Sequence, residues 1–181
     1  MTDKITISPF NVNDSDLHLI GDLYCLNFLG ENFSVENLEG AIENLNKHAA
    51  YEGFTGFKAI DQSGKLAGFV YGYISLPGQF YREKIAAQLT EEQTLIWLSD
   101  CFEFVELAVN PTYKRMGVGS RLHDRLMNEI ENKTAVLTTS VENSPAISLY
   151  ENKAWHLIKT DVPVITSENL QVIMGKENLK R

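Results

Sequence analysis

The sequence predicts a single α/β domain, residues 1–181, with a mixed central sheet of about six to seven strands flanked by helices. Three observations lead there. The 181 residues suffice for one well-buried domain and are few for two. Segments of strand periodicity alternate with segments of helical periodicity along the chain. Strands are joined both by a tight turn and by helices, so antiparallel and parallel neighbours are expected in one sheet.

Residues 4–10, KITISPF, alternate apolar and polar side chains and read as a strand closed by Pro9. Residues 16–29 place Leu19, Leu23, Leu26 and Leu29 on one helical face. A second helix over 34–49 has Ser34 as its cap and Leu38, Ile42 and Leu45 at helical spacing. Strands over about 54–60 and 66–75 flank DQSG as a hairpin. The stretch PGQFYREK that follows carries no clear pattern, whereas Thr90 with Gln93 makes a capping box for a helix through Trp97 and Leu98. CFEFVELAV, 101–109, is a strand rich in Phe and Val. A helix (118–131), a strand (134–141), a helix (144–152) and two strands near 155–161 and 170–175 complete the chain. No repeat, low-complexity tract or linker interrupts them.

Composition excludes several classes. A net charge of −8 argues against a nucleic-acid or anionic-membrane surface and favours cationic partners, although solubility alone also explains it. Cys25 and Cys101 are isolated, without CxxC spacing, and the four histidines form no ligand pair, so no metal is expected. The start MTDKITISPF lacks an apolar signal core, and no run of 18 apolar residues occurs. A cytoplasmic location follows as the expectation. Oligomeric state is not readable; a homodimer is one assembly open to the chain.

The stretch NPTYKRMGVGSRLHDRLM, 110–127, carries the chemistry. Leu122, Leu126 and Ile130 form a buried helical face, with Arg125 and Glu129 as an i,i+4 pair elsewhere. The helix start is different: Gly117 and Gly119 would let an anion reach the unpaired first-turn N–H groups without meeting a Cβ. A tight strand-to-helix turn would use glycines too. No GxxxxGK[ST] string occurs, which excludes a P-loop. A dinucleotide fingerprint fails because Leu122 stands at the third glycine position and NPTYKRM intervenes after the strand, even though Glu142 could serve as its acid.

VNPTYKRMGVGSRL resembles the acyl-CoA motif of the GNAT (Gcn-five-related N-acetyltransferase) superfamily, [QR]-x-x-G-x-[GA] after a strand. Lys114-Arg115-Met116-Gly117-Val118-Gly119 provides the match, with Lys114 where the family prefers Gln or Arg. Downstream, ENSPAISLYENKAW is similar to the family's N-x-x-A-x-x-L-Y-x-x-x-G-[FW] through Asn143, Ala146, Leu149, Tyr150 and Trp155, with Ala154 in place of glycine. Local structure alone would also explain that segment, Asn143 or Ser144 capping, Pro145 in the first turn and Tyr150 packing inward. The resemblance implies transfer of an acyl group, most often acetyl, from acetyl-CoA to an amine of a small molecule or peptide, without a covalent enzyme intermediate. It assigns the CoA pyrophosphate to 114–120, Ser120 included, and implies a contact from Asn143. The pantetheine arm would lie along Leu107 and Val109 as an added strand.

The same resemblance implies a general acid at Tyr150, whose phenol keeps its proton at neutral pH, and a glutamate as base. Glu103 stands eleven residues before Lys114, a family spacing for the base, while Glu106 directly precedes the segment expected beside the thioester. Strand alternation puts the two on opposite faces unless a bulge intervenes. A solvent-facing strand-end carboxylate suits Glu103 better, which ranks Glu106 ahead. Two functions remain: an N-acyltransferase, or a non-catalytic CoA-binding domain. Tyr71, Tyr73, Phe80, Tyr81 and Trp97 are considered for the acceptor side, although each also suits the core.

Overall fold

The computed structural model describes residues 4–13 and 15–180. Among the described residues, seven strands form one mixed sheet in the order β1-β2-β3-β4-β5-β7-β6, accompanied by six α-helices. The chain divides into two compact units, 4–73 with 106–130 and 74–105 with 131–180.

In the first unit, β1 (Thr6–Pro9) is an edge strand, antiparallel to β2 (Thr55–Ile60). The edge tolerates Pro9, since a missing N–H there breaks no second ladder. β2 turns back into β3 (Leu66–Ile74) as the hairpin that the sequence predicts. α1 (Leu17–Leu29) and α2 (Val35–Ala49) follow their predicted spans. Ser34 caps α2 by accepting the Asn37 N–H at 3.1 Å, and the Asn37 side chain accepts the Ser34 N–H at 2.9 Å. The buried face of α1 needs correction. Leu23 is buried as expected, but its companions are Ile20 and Cys25, while Leu19 and Leu29 are 45% and 53% exposed. The cause is the helix–helix contact: a Cβ at Gly21 would lie 3.0 Å from both Ile42 Cγ1 and Leu38 Cδ1, so α2 seats against the Gly21 side of α1.

α5 (Val118–Glu129) packs with Val118, Leu122 and Leu126 buried. It packs on the sheet at Gly68, where a Cβ would lie 2.7 Å from the Ala108 carbonyl oxygen and 3.0 Å from Leu122 Cδ1. Arg125 pairs with Glu129 as predicted and also lies over the Phe57 ring, 4.4 Å from its centroid. Arg121 donates to the Ile5 carbonyl at 2.9 Å.

In the second unit, α3 (Phe80–Ala86) and α4 (Glu91–Leu98) connect β3 to β4 (Cys101–Val109). The Thr90–Gln93 capping box forms as predicted. α3 escapes sequence reading because its start is held by side chains outside any standard cap. Gln79 Oε1 accepts the Leu76 N–H at 2.9 Å, Gln79 Nε2 donates to the Ile74 carbonyl at 3.0 Å, and Glu83 Oε1 accepts the Gly78 N–H at 2.8 Å. Ile85 and Leu98 then join Cys101, Val136 and Ile173 in one buried cluster.

β5 (Thr134–Ser140) pairs along its length with β7 (Asn169–Glu177), and β6 (His156–Thr166) forms the other edge. Both final strands are longer than their sequence patterns suggest, because register shifts interrupt the β6 alternation. Those shifts, Pro163 and a left-handed Asp161 (φ 55°) blunt the open edge against pairing with another chain.

α6 (Ser144–Asn152) begins with Asn143 accepting the Ala146 N–H at 3.3 Å. It ends in a Schellman motif: the Ala154 N–H donates to Glu151 at 3.1 Å and the Trp155 N–H to Tyr150 at 3.0 Å. Ala154 occupies the left-handed position at φ 61°, which explains why relatives in the resemblance commonly carry glycine there. The Trp155 ring closes on Tyr150, centroids 5.8 Å apart, and both rings meet Phe104 at 5.7 Å.

β4 has two irregularities that matter for function. Asn110 N–H donates to the Ala67 carbonyl, and Ser75 N–H to the Cys101 carbonyl. Between those bonds β3 advances eight residues and β4 nine, so β4 carries one extra residue, a bulge. Simple alternation therefore does not decide which faces Glu103 and Glu106 take. Second, the parallel ladder with β5 covers Cys101–Glu103 and ends there, although β4 runs on to Val109.

Two stability outcomes follow. Gly68→Ala should cost about 1–3 kcal/mol in urea denaturation, because the new methyl meets a backbone oxygen that cannot step aside. Ala154→Gly should raise stability by about 0.5–1 kcal/mol, the relief of left-handed strain exceeding the added freedom of the unfolded chain. An unchanged midpoint for either variant contradicts the corresponding contact.

Candidate active site

The residues singled out in sequence fall in both units. Glu106, Leu107, Val109 and 114–120 belong to the first; Glu103, Asn143 and Tyr150 belong to the second.

In the first unit the site is built on the end of β4. The Asn110 N–H points to β3, so by antiparallel alternation Ala108 also faces β3, while Leu107 and Val109 direct their N–H and C=O groups to the opposite edge. The closeness of the Ala108 oxygen to Gly68 agrees with this. Asn27 of α1, outside every sequence motif, donates from Nδ2 to the Val109 carbonyl at 3.1 Å.

After β4 a short 3₁₀ turn, Pro111–Tyr113, leads into the glycine loop. It is pinned to the β2–β3 turn: the Tyr113 hydroxyl donates to Asp61 Oδ2 at 2.5 Å, and Asp61 Oδ1 accepts N–H groups from Ser63 and Lys65. Those donors, the Tyr113 hydroxyl foremost, hold the Asp61 carboxyl well below the usual carboxylate range. Arg115 then adopts a left-handed φ of 63° and Gly117 one of 76°. At Gly117 a Cβ would meet no atom within 4 Å, so the backbone there faces open space. No side chain caps α5, and its first turn carries no acidic residue. The result is an uncapped helix N-terminus behind an open cradle, flanked by exposed Lys114 and Arg115. Both keep their charges free of ion pairs among the described residues. Arg121 and Arg125 are engaged elsewhere.

Glu106 lies on β4 four residues before Asn110. The residue is half-buried, and burial pushes its pKa up to about 8. Tyr71 and Tyr73, considered for the acceptor side, are buried core residues packed with His48. The Tyr71 hydroxyl is 2.9 Å from His48 Nδ1, and burial lowers the His48 pKa to about 4, so the imidazole is neutral at pH 7.

In the second unit Glu103 is 4% exposed, not solvent-facing as the sequence suggested. Ile85 of α3 shares a buried cluster with Cys101, two residues before Glu103, and the Arg82 charge acts on that thiol. Burial pushes the Cys101 thiol up to about 12, helped by the Glu103 charge and opposed by Thr134 and Arg82. Cys25 is raised as well, by burial and then by Asp22. Both thiols are therefore held protonated, which makes them poor nucleophiles. Trp97 packs on Gly175, whereas Phe80 is exposed. Tyr150 is buried in its Phe104–Trp155 cluster, and the Asn143 Oδ1 accepts the Ala146 N–H as the cap of α6.

Among the described residues no group of His, Cys, Asp and Glu could hold a metal ion, and no helix is long and apolar enough to cross a membrane.

Three comparisons place this architecture. The family model described as Acetyltransferase (GNAT) family matches residues 24–154. No match was found among curated proteins. Among solved structures the chain is similar to the Vibrio cholerae spermidine/spermine N-acetyltransferase SpeG, solved with manganese ions, at 18% identity over 97% of this chain and 93% of that one, TM-score 0.62. It is also similar to the Escherichia coli ribosomal-protein-S18-alanine N-acetyltransferase, at 19% identity over 98% and 96%, TM-score 0.65. A third is aminoglycoside 6'-acetyltransferase type Ii, at 18% identity over 97% and 99%, TM-score 0.70. These identities speak to the fold. With most of its length matched by the family model, on top of the glycine cradle at an uncapped helix, the chain belongs to the GNAT family of acetyltransferases.

Proposed function

We propose that the protein transfers an acetyl group from acetyl-CoA to a primary amine of a small molecule or peptide, by direct attack. The observation that carries this reading is the glycine cradle at an uncapped helix N-terminus, which follows the end of β4 that holds Glu106, Leu107 and Val109. The residues present fit CoA. N–H groups at 117–120 with Lys114 and Arg115 suit its pyrophosphate, and the edge groups of Leu107 and Val109 suit its amide-bearing arm. When bound, CoA supplies the activated acyl thioester.

Glu106 is the base in this reading. A carboxylate with its pKa near 8 takes a proton from an alkylammonium far more readily than an ordinary one near 4.5. Its charge, once formed, also favours a cationic acceptor. Glu103 serves less well, because it is buried in the neighbourhood of Arg82. Tyr150 Oη holds the proton given to the departing sulfur. Support for Tyr150 comes from its position in the Asn143–Trp155 segment and from the Schellman motif that anchors it.

The base form of Glu106 is the ionised one. Turnover at saturating acetyl-CoA should therefore rise with pH and level off above about 8. Glu106→Gln should lower turnover about 10²–10⁴-fold and shift the limb to the acceptor amine's own pKa. Stability moves the other way. Between the ordinary carboxylate range and about 8 the folded protein holds a proton that the unfolded chain has released, so the parent loses stability as pH rises through that window. The melting temperature of the Gln variant, relative to the parent, should climb from pH 5 to 8.5. A pH profile identical in the two proteins removes Glu106 from the chemistry.

Tyr150→Phe keeps the ring that packs on Phe104 and Trp155, so folding and CoA affinity should change little. Turnover should fall about 10²–10⁴-fold with a smaller effect on KM for acetyl-CoA. Parent-like turnover in a folded variant would make the phenol a core group only. Thermal stabilisation of the parent by CoA, without thiol release on any amine of a broad panel, would overturn the enzymatic reading itself.

A further inference from the structure

The backbone edge that the CoA reading requires is partly occupied by the protein. Val109 directs its carbonyl to the open side of β4, and Asn27 Nδ2 already donates to it at 3.1 Å. The orientation of this amide follows from chemistry: a carbonyl accepts, so the NH₂ must face it and Oδ1 must face away. That Oδ1 is buried and meets no donor among the described residues. An enclosed acceptor without a donor is costly, and native proteins rarely leave one unless a partner arrives. Leu23, one turn before Asn27, Leu26, which immediately precedes it, and Asn110, next to Val109, line a mainly apolar cleft of about 300 Å³ in the same unit.

We propose that Asn27 is a cofactor-binding residue: its amide caps the Val109 carbonyl and offers Oδ1 as the acceptor for an amide N–H of the pantetheine arm. The strand edge then presents Leu107 and the Val109 N–H from the backbone, and continues its acceptor pattern through a side chain of α1. This rests on the CoA reading, and it adds a contact that neither glycine motif contains. It also couples α1 to cofactor occupancy, since the ligand would tighten a residue that already joins helix and strand.

The test compares CoA with ADP, which carries the pyrophosphate without the pantetheine arm, by calorimetric titration of the parent and Asn27→Ala. Loss of one neutral hydrogen bond should weaken CoA about 3–10-fold and leave ADP affinity unchanged. Equal weakening of both ligands would make Asn27 a scaffold for the loop, and unchanged CoA affinity would remove it from the site; either result overturns the proposal. If Asn27→Ala does not fold, Asn27→Ser, which keeps a small polar group but no carbonyl, is held to the same comparison. A parent that binds ADP but not CoA, or neither, sinks the CoA reading and this proposal with it.

Discussion

The early end of the β4–β5 ladder is the constraint on which the rest depends. Backbone N–H and C=O groups in a sheet interior are normally paired, and a strand that loses its neighbour midway must have its groups met some other way. Here the ladder ends at Glu103 while β4 continues to Val109. β4 also carries one residue more than β3 between the Cys101 and Asn110 bonds. An open edge inside a sheet is a standing template for an extended chain with amide groups, and a pantetheine arm has that character.

Holding that edge in place requires close packing on its other side. Gly68 is the contact point, where the Ala108 oxygen, Leu122 and Val118 crowd the space that a side chain would fill. The same contact fixes where α5 begins, and so where its uncapped N–H groups sit relative to the strand end. The Asp61–Tyr113 bond holds the intervening turn from below. Strand end, turn and helix start are thus fixed by short-range contacts within one unit, and the left-handed residues Arg115 and Gly117 form the cradle between them.

The electrostatics trade stability for reactivity. A half-buried Glu106 resists ionising, which is a cost at any pH where it is charged, and under the proposed reading the same shift would make the carboxylate a stronger base. Glu103, on the same strand, is 4% exposed, and its charge and that of Arg82 act in opposite senses on the Cys101 thiol.

By itself the sequence determined the order and type of nearly every element, the caps at Ser34, Thr90 and Asn143, and the glycine start of α5. These are local facts: periodicity, turn chemistry and capping act over a few residues, so the chain displays them directly. Even the oddity of Ala154 was visible as a missing glycine, although only the φ of 61° shows what the glycine is for. Tertiary structure decided the rest. Which side of α1 is buried depended on α2 seating against Gly21, and the start of α3 rests on bonds from the Gln79 and Glu83 side chains. Asn27 reaches Val109 across 82 residues of sequence, a pairing that no local pattern encodes. The pKa of Glu106 likewise belongs to its burial, a property of how strands and helices pack and not of the residues beside it in the chain.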